Sequence, residues 1–191
     1  MPRAFALLVF VVLGVIFPAS AVAQTSSTGG AQFSDPVPIV APGSQATLLP
    51  DGSAAAPADA PPEVQAAIFA ANKLLDKPYK YGGGHAKVED SGYDCSGTVS
   101  YALLGAGLLK SPLDSSSFMR WGQKGKGTWI TVYTNPGHAF AMIAGLRLDT
   151  SAYGVSARAT RRIARVGERG PRWRAGKRPK KGFKARHPVG L

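Results

Sequence analysis

The chain has 191 residues, 45% of them hydrophobic, so it can bury one core of ordinary domain size. Its 23 Gly and 15 Pro indicate long irregular segments, and its single Cys excludes an internal disulfide. The net charge of +12 is uneven, because residues 158–191 carry thirteen Lys and Arg and one acid, Glu168. The rest of the chain is close to neutral, and residues 158–191 are a basic C-terminal tail.

The first 23 residues have the three parts of a secretory signal peptide. Arg3 supplies a positive start, residues 4–17 are an apolar run, and Ala-Val-Ala at 21–23 has the small-x-small form of a cleavage site. The apolar run is shorter than the roughly 20 residues that span a bilayer. We therefore expect a secreted protein, extracellular or associated with a cell wall, with no membrane anchor after cleavage.

Residues 24–60 have the composition of a flexible linker. They are rich in Ser, Gly, Ala and Pro, contain no Lys or Arg and have few large apolar side chains. Such a stretch buries too little surface to offset the entropy lost on ordering. Short apolar patches at 37–40 and 48–49 leave open whether part of the linker docks on the domain.

Residues 61–157 carry helix signals first and strand signals later, which predicts an α+β fold with N-terminal helices packed on a small antiparallel sheet. Prolines at 61–62 open the first helix, which ends before Pro78. The second helix starts at Cys95, with Asp94 as its N-cap. The other predicted elements are a Gly-rich loop at 79–84, a helical piece at 118–121, strands at 128–134 and 138–144 around a turn at 135–137, and a further extended segment at 147–150.

Cys95 is the residue on which the functional interpretation depends. In a secreted protein an unpaired Cys forms an intermolecular disulfide or acts as a reactive nucleophile. Apolar residues recur at helical spacing after it, which places Cys95 in the first turn of a helix. There the helix dipole and unpaired N–H groups stabilise a thiolate, so the sequence predicts a nucleophile. The alternative is a small apolar residue packed beneath a helix.

A cysteine nucleophile needs a base that accepts its proton. Of the three histidines, His138 opens a buried strand, which is the firm mounting that a general base requires. His85 lies in a loop, and His187 lies in the basic tail, where positive charge disfavours a protonated imidazole. We therefore predict His138 as the base, with a structural histidine as the alternative.

Three motifs surround these residues: Tyr-Lys-Tyr-Gly-Gly at 79–83, Gly-Tyr-Asp-Cys-Ser-Gly-Thr-Val at 92–99, and Pro-Gly-His at 136–138. Together they resemble the NlpC/P60 family of cell-wall cysteine peptidases over residues 74–150. The resemblance implies a papain-like α+β fold and hydrolysis of peptide bonds in peptidoglycan stems, often the bond after D-γ-glutamate. It also implies that Cys95 is the nucleophile and His138 the base. The residues that it implies line the site and bind the substrate's amine or the oxyanion are Tyr81, Asp94 and Ser96.

The residue that would orient His138 departs from the family pattern. The family places a His, Asn or Gln about twelve residues after the base, where this chain has Asp149 and Thr150. Counting without gaps favours Thr150, but a carboxylate would both orient the ring and stabilise its protonated form. We predict Asp149, with a structural Asp in a turn as the alternative. The Gly-Asp pair that the family usually carries before its first core strand is also missing, and Gly127-Thr128 stands in its place.

The sequence therefore predicts a secreted cysteine endopeptidase, a hydrolase that cuts peptidoglycan stem peptides through an acyl-enzyme. No cofactor and no metal are expected, because one Cys and scattered His give no ligand cluster. The expected partners are peptidoglycan and, through the basic tail, anionic wall polymers. Trp173 and Phe183 lie among the basic residues of the tail, but in an exported protein we expect no specific nucleic-acid partner. Turn-like stretches at 170–173 and 186–188 leave open whether part of the tail is ordered.

Two other functions are compatible with the sequence. One is a catalytically silent wall-binding protein on the same scaffold, which the irregular third residue and the cationic tail favour. The other is a related thiol chemistry, an amidase or an acyltransferase, which uses the same motif residues.

Overall fold

The computed structural model describes residues 38–151, 170–175 and 178–191, which fall in one compact unit. The predicted signal peptide, the first part of the predicted linker, and residues 152–169 and 176–177 lie outside the described residues. In chain order the elements are β1 (Val40–Ala41), β2 (Thr47–Leu48), β3 (Ala54–Pro57), α1 (Pro62–Asn72), α2 (Cys95–Gly105), α3 (Ser115–Phe118), β4 (Gln123–Lys124), β5 (Ile130–Asn135), β6 (His138–Ile143), β7 (Leu146–Leu148), β8 (Trp173–Arg174) and β9 (Lys184–His187).

The elements form a mixed helix-and-sheet fold, which confirms the predicted class at that level. The larger sheet has six strands in the order β4-β9-β5-β6-β7-β8, and every neighbouring pair in it is antiparallel. A smaller sheet has the order β1-β3-β2, with β1 parallel and β2 antiparallel to β3. No helix in the described ranges is long and apolar enough to cross a membrane.

The strands β5 and β6 form the hairpin that carries His138. The side chain of Asn135 accepts a hydrogen bond from the Gly137 backbone N–H at 3.0 Å, which stabilises the turn. In this register Asn135 pairs with His138 and Val132 with Ala141. Since alternate residues of a strand face opposite sides, one face of the hairpin is apolar and packs on the helices. His138 therefore stands at the open end of a strand whose position is fixed by the core.

The core lies between the helices and that inner face of the larger sheet. Fully buried side chains from α1 and α2 meet fully buried side chains of the sheet, and burying each large aliphatic side chain contributes about 1.5–3 kcal/mol. The main contributors are Val64, Ile68, Val99, Leu103, Ile130, Val132, Ile143 and Leu148.

The expectation of a flexible linker at 24–60 does not hold for its described part, residues 38–60. Residues 40–57 form the smaller sheet, and Ala54, Ala55 and Ala56 are essentially inaccessible to solvent. Small side chains let β3 lie close to α1. The Asn72 side chain accepts a hydrogen bond from the Ala54 N–H and donates one to the Ala54 carbonyl, as the backbone of a neighbouring strand would. The composition predicted disorder because it counted large apolar residues, whereas this packing is built from alanines.

The expectation of a separate basic tail at 158–191 does not hold for residues 170–175 and 178–191. The strand β8 extends the larger sheet beyond β7, and β9 pairs with both β4 and β5. Trp173 is only 5% exposed and donates its indole N–H to Asn72 at 2.7 Å. The described C-terminal residues are therefore structural parts of the sheet, although many of them are basic.

We expect Asn72→Ala to lower the free energy of unfolding by at least about 3 kcal/mol. Asn72 accepts hydrogen bonds from the Ala54 N–H and the Trp173 indole and donates one to the Ala54 carbonyl. A buried polar group left without a partner costs about 1–3 kcal/mol. Trp173→Phe removes one donor and should cost roughly 1 kcal/mol of hydrogen bonding. Urea denaturation measures both, and equal losses in the two variants would contradict this role of Asn72.

Candidate active site

Cys95 is the first residue of α2. The Asp94 side chain caps this helix by accepting the Gly97 N–H at 2.7 Å, as the sequence predicted. A Cβ at Gly97 would collide with the carbonyl oxygen of Gly83, so only glycine lets the loop 82–84 lie against the helix start. The thiol is thereby held at the positive end of a helix dipole, beside a loop that lines a cleft.

The Nε2 of His138 lies 3.0 Å from Asp149 Oδ1, and His138 lies close enough to Cys95 for each residue to shift the pKa of the other. With Nε2 committed to the carboxylate, Nδ1 is the ring nitrogen left for the thiol. The structure therefore brings the predicted nucleophile, base and orienting residue together in one site. The catalytic roles of these three residues stay a prediction.

Asp149 follows β7 and has a side chain that is entirely buried. Its Oδ1 also accepts the Ser151 N–H at 2.9 Å, while Oδ2 lies 3.0 Å from Arg178 Nη1 and 3.5 Å from Arg147 Nε. Thr150, the alternative that ungapped counting favours, is buried but is not hydrogen-bonded to His138 among the described residues. The carboxylate, and not the hydroxyl, therefore orients the imidazole.

The electrostatics of the site favour a thiolate paired with an imidazolium. Burial acts to lower the pKa of His138, but hydrogen bonds to Asp149 and Cys95 and the charges of both groups raise it from 6.5 to about 9. Burial acts to raise the pKa of the Cys95 thiol, but the hydrogen bond with His138, the Ala139 backbone N–H and the charge of His138 lower it overall. Each partner stabilises the charged form of the other.

The pKa of Asp149 is lowered despite complete burial of its side chain. Burial acts to raise this pKa, but the hydrogen bonds from His138 and Ser151 and the charges of His138 and Arg178 outweigh it. The carboxylate is therefore charged at neutral pH, and it is this charge that supports the imidazolium.

Residues of the C-terminal segment form one wall of the site. The ring of Phe183 meets the His138 ring edge-on at 6.3 Å and the Phe140 ring at 5.2 Å. The Arg178 guanidinium lies over both phenylalanine rings, 5.1 Å from the centroid of Phe140 and 5.4 Å from that of Phe183. The sequence did not predict this wall, because its many Lys and Arg residues indicate a basic tail. No local pattern links the C-terminal segment to Asp149.

A cleft of about 390 Å³ opens in front of Cys95. Asp94 and Ser96 lie on its floor and are buried, whereas Tyr81 stands at its mouth and is 91% exposed. The three residues predicted to bind substrate therefore do line this cleft, and their roles stay predicted. Other residues that line the cleft are Asp114, Ser115, Ser116, Pro136 and Gly137.

His85, a second histidine considered as the base, belongs to the cleft but contacts other residues. Its Nε2 lies 3.0 and 3.1 Å from the two carboxylate oxygens of Asp94 and 3.3 Å from Ser96 Oγ. His187 lies in β9, where its Nδ1 is 2.9 Å from the Pro188 carbonyl oxygen. Among the residues that the structure describes, no group of three or more His, Cys, Asp and Glu is arranged to hold a metal ion.

The chain has a distant structural likeness to a known hydrolase. It is similar to the peptidoglycan hydrolase RipB from Mycobacterium tuberculosis, with a TM-score of 0.48 and 18% sequence identity. The likeness covers 68% of this chain and 66%, just under two thirds, of the RipB chain. No protein-family model and no curated protein matches the chain.

We expect Asp149→Asn to lower the pKa of His138 from about 9 toward its ordinary value of 6.5. The amide keeps the size of the side chain but removes the charge that supports the imidazolium. An NMR titration of the imidazole measures this pKa. Thr150→Val is the matched control and should leave it unchanged, and a His138 pKa that stays near 9 in Asp149→Asn would contradict the assignment.

Proposed function

We propose that the chain is a secreted cysteine hydrolase with a papain-like site that cuts peptide bonds in peptidoglycan stem peptides. The observation that carries the proposal is the array Cys95–His138–Asp149, in which the thiol pKa is lowered and the imidazole pKa is raised. The choice of peptidoglycan rests on the motifs at 79–83, 92–99 and 136–138, and the choice of secretion rests on residues 1–23.

In the proposed reaction the Cys95 thiolate attacks the carbonyl carbon of the scissile bond. The backbone N–H of Cys95, which no carbonyl of its own helix can reach, would help to hold the oxyanion. The His138 imidazolium gives its proton to the leaving amine as the C–N bond breaks, which leaves a thioester. Neutral His138 then takes a proton from water while the water oxygen attacks the thioester, and release of the carboxylic acid restores the ion pair.

The cleft supports a peptide rather than a folded protein as substrate. Its volume of about 390 Å³ suits a short segment, and its lining is polar and apolar in about equal parts. The carboxylate of Asp94 at its floor accepts hydrogen bonds from Gly82, Ser96 and Gly97, so it is held in a fixed direction. Such an anchored carboxylate is suited to contact a cationic or amide group of the substrate near Cys95.

We expect Cys95→Ala to abolish digestion of purified peptidoglycan while the protein stays folded. Cys95 is only partly buried, and the change removes one sulfur atom. Soluble fragments are read by mass spectrometry, and circular dichroism checks the fold. Fragments cut within the stem peptide support the proposal, whereas cleavage between sugar and peptide, or transfer to an added amine, identifies the amidase or the acyltransferase. Full activity of Cys95→Ala would contradict all three thiol-dependent functions, the peptidase, the amidase and the acyltransferase.

We expect His138→Ala and His85→Ala to differ in their effects. Without His138 the Cys95 thiolate loses its counter-ion, so alkylation by iodoacetamide at pH 7 should slow by about tenfold or more. Without His85 the Asp94 carboxylate loses a contact inside the cleft, so KM for wall peptides should rise while alkylation stays unchanged. Slow alkylation of the parent protein at pH 7 would instead favour the silent wall-binding protein.

A further inference from the structure

A second cavity, of about 540 Å³, lies beyond the C-terminal end of α3, next to the edge of the sheet formed by β4 and β9. We call it the basic groove. Four of its six lining residues are Lys or Arg, and no acidic side chain lines it within the described ranges. The lining residues are Met119, Arg120, Lys124, Lys184, Ala185 and Arg186.

The strand register gathers three of these cations on one face. Lys124 of β4 lies directly opposite Arg186 of β9, and Lys184 lies two residues before Arg186 on the same strand. Residues two apart in a strand share a face, and residues directly opposite on neighbouring strands are close together. Like charges in such positions repel each other, so these three cations destabilise this part of the sheet, and a bound anion would reduce their repulsion.

The cations of the groove lack acidic partners in the part of the chain that the structure describes. Arg186 is 8% exposed, and its buried Nε has no hydrogen-bond partner there. Arg120, Lys124 and Lys184 are exposed, and their side chains form no hydrogen bond or ion pair with another described residue. A buried guanidinium N–H without an acceptor costs free energy, which an oxyanion in the groove would offset.

We propose that the basic groove binds a polymer that carries phosphate or carboxylate groups along its length and has no bases. The fork of Arg186 matches an oxyanion, and the lysines supply point charges for neighbouring groups of the same polymer. No aromatic side chain from the described segments lines the groove, whereas proteins that hold single-stranded nucleic acid add aromatic rings on which the bases stack. The groove therefore favours a polyanion of sugars, polyols or simple phosphates over single-stranded nucleic acid.

The groove and the catalytic cleft lie at opposite ends of one short helix. Ser115, the first residue of α3, lines the cleft, and Met119, just after its last residue, lines the groove. A polymer in the groove is thus held within a few residues of the cleft. The binding function goes beyond the proposed hydrolysis and does not depend on it.

The test measures the affinity of the full chain for two base-free polymers, inorganic polyphosphate and polygalacturonate, and for single-stranded DNA, at several salt concentrations. At least one base-free polymer should bind more tightly than DNA. Lys124→Gln and Lys184→Gln should each weaken that binding about fivefold and lower the slope of log affinity against log salt by roughly one. Arg186→Met should weaken it by about tenfold or more.

Lys110→Gln is the matched control, because Lys110 is an exposed lysine outside the groove lining. It should change the affinity less than twofold. Since Lys124 and Lys184 are exposed, their variants give a result even if Arg186→Met does not fold. The preferred base-free polymer tells whether phosphate or carboxylate is the natural group. Equal weakening by Lys110→Gln, binding of neither base-free polymer, or tighter binding of DNA through the same residues would overturn the proposal.

Discussion

The buried charge of Asp149 is the constraint on which the site depends. A carboxylate with no solvent contact is stable only when hydrogen bonds and opposite charges surround it, and here they come from three separate places in the chain. His138 comes from β6, Arg147 from β7 and Arg178 from the C-terminal segment. The network therefore ties these segments to one another. The charge of Asp149 raises the pKa of His138, and the hydrogen bond and charge of His138 in turn lower the pKa of the Cys95 thiol.

The larger sheet separates two environments, and His138 lies where they meet. On one side, α1 and α2 pack on the apolar face of β5 and β6. On the other side, Tyr133 and Phe140 stack at 5.1 Å and are covered by Arg178, Lys180 and Phe183. The imidazole reaches the thiol at the start of α2 and is held against this second layer. The position of the His138 ring therefore depends on both layers.

The sequence could predict the parts of the site that local chemistry determines. The N-cap at Asp94, the helix start at Cys95 and the turn before His138 are set by neighbouring residues, and the structure has them. A carboxylate both orients an imidazole and stabilises its protonated form, which predicts Asp149 rather than Thr150, and the structure has that contact. The sequence predicts a first helix that ends before Pro78, but α1 ends at Asn72. Beyond it the chain continues in turns, with backbone hydrogen bonds between residues three apart.

The pairings that join distant segments could not be predicted in the same way. The strand β9 reads Lys-Ala-Arg-His and has no apolar alternation, yet its backbone pairs on both sides with strands about fifty and sixty residues earlier. The contact between Arg178 and Asp149 spans 29 residues and depends on where β9 docks. The alanines of β3 gave no hydrophobic signal, because close packing of small side chains replaces the bulk of large ones.

The place of β9 in the sheet also affects the order in which the candidate site is built. Cys95 and His138 precede the residues that complete their surroundings, and during synthesis the chain can contain both before Arg178, Phe183 and β9 exist. Until that last segment docks, Asp149 lacks one of its cationic partners and His138 lacks one wall. Completion of the surroundings of Cys95 and His138 is therefore coupled to the docking of β9, a non-local step of folding. The charges that look like a tail in the sequence are among the last parts of the candidate site to be synthesised.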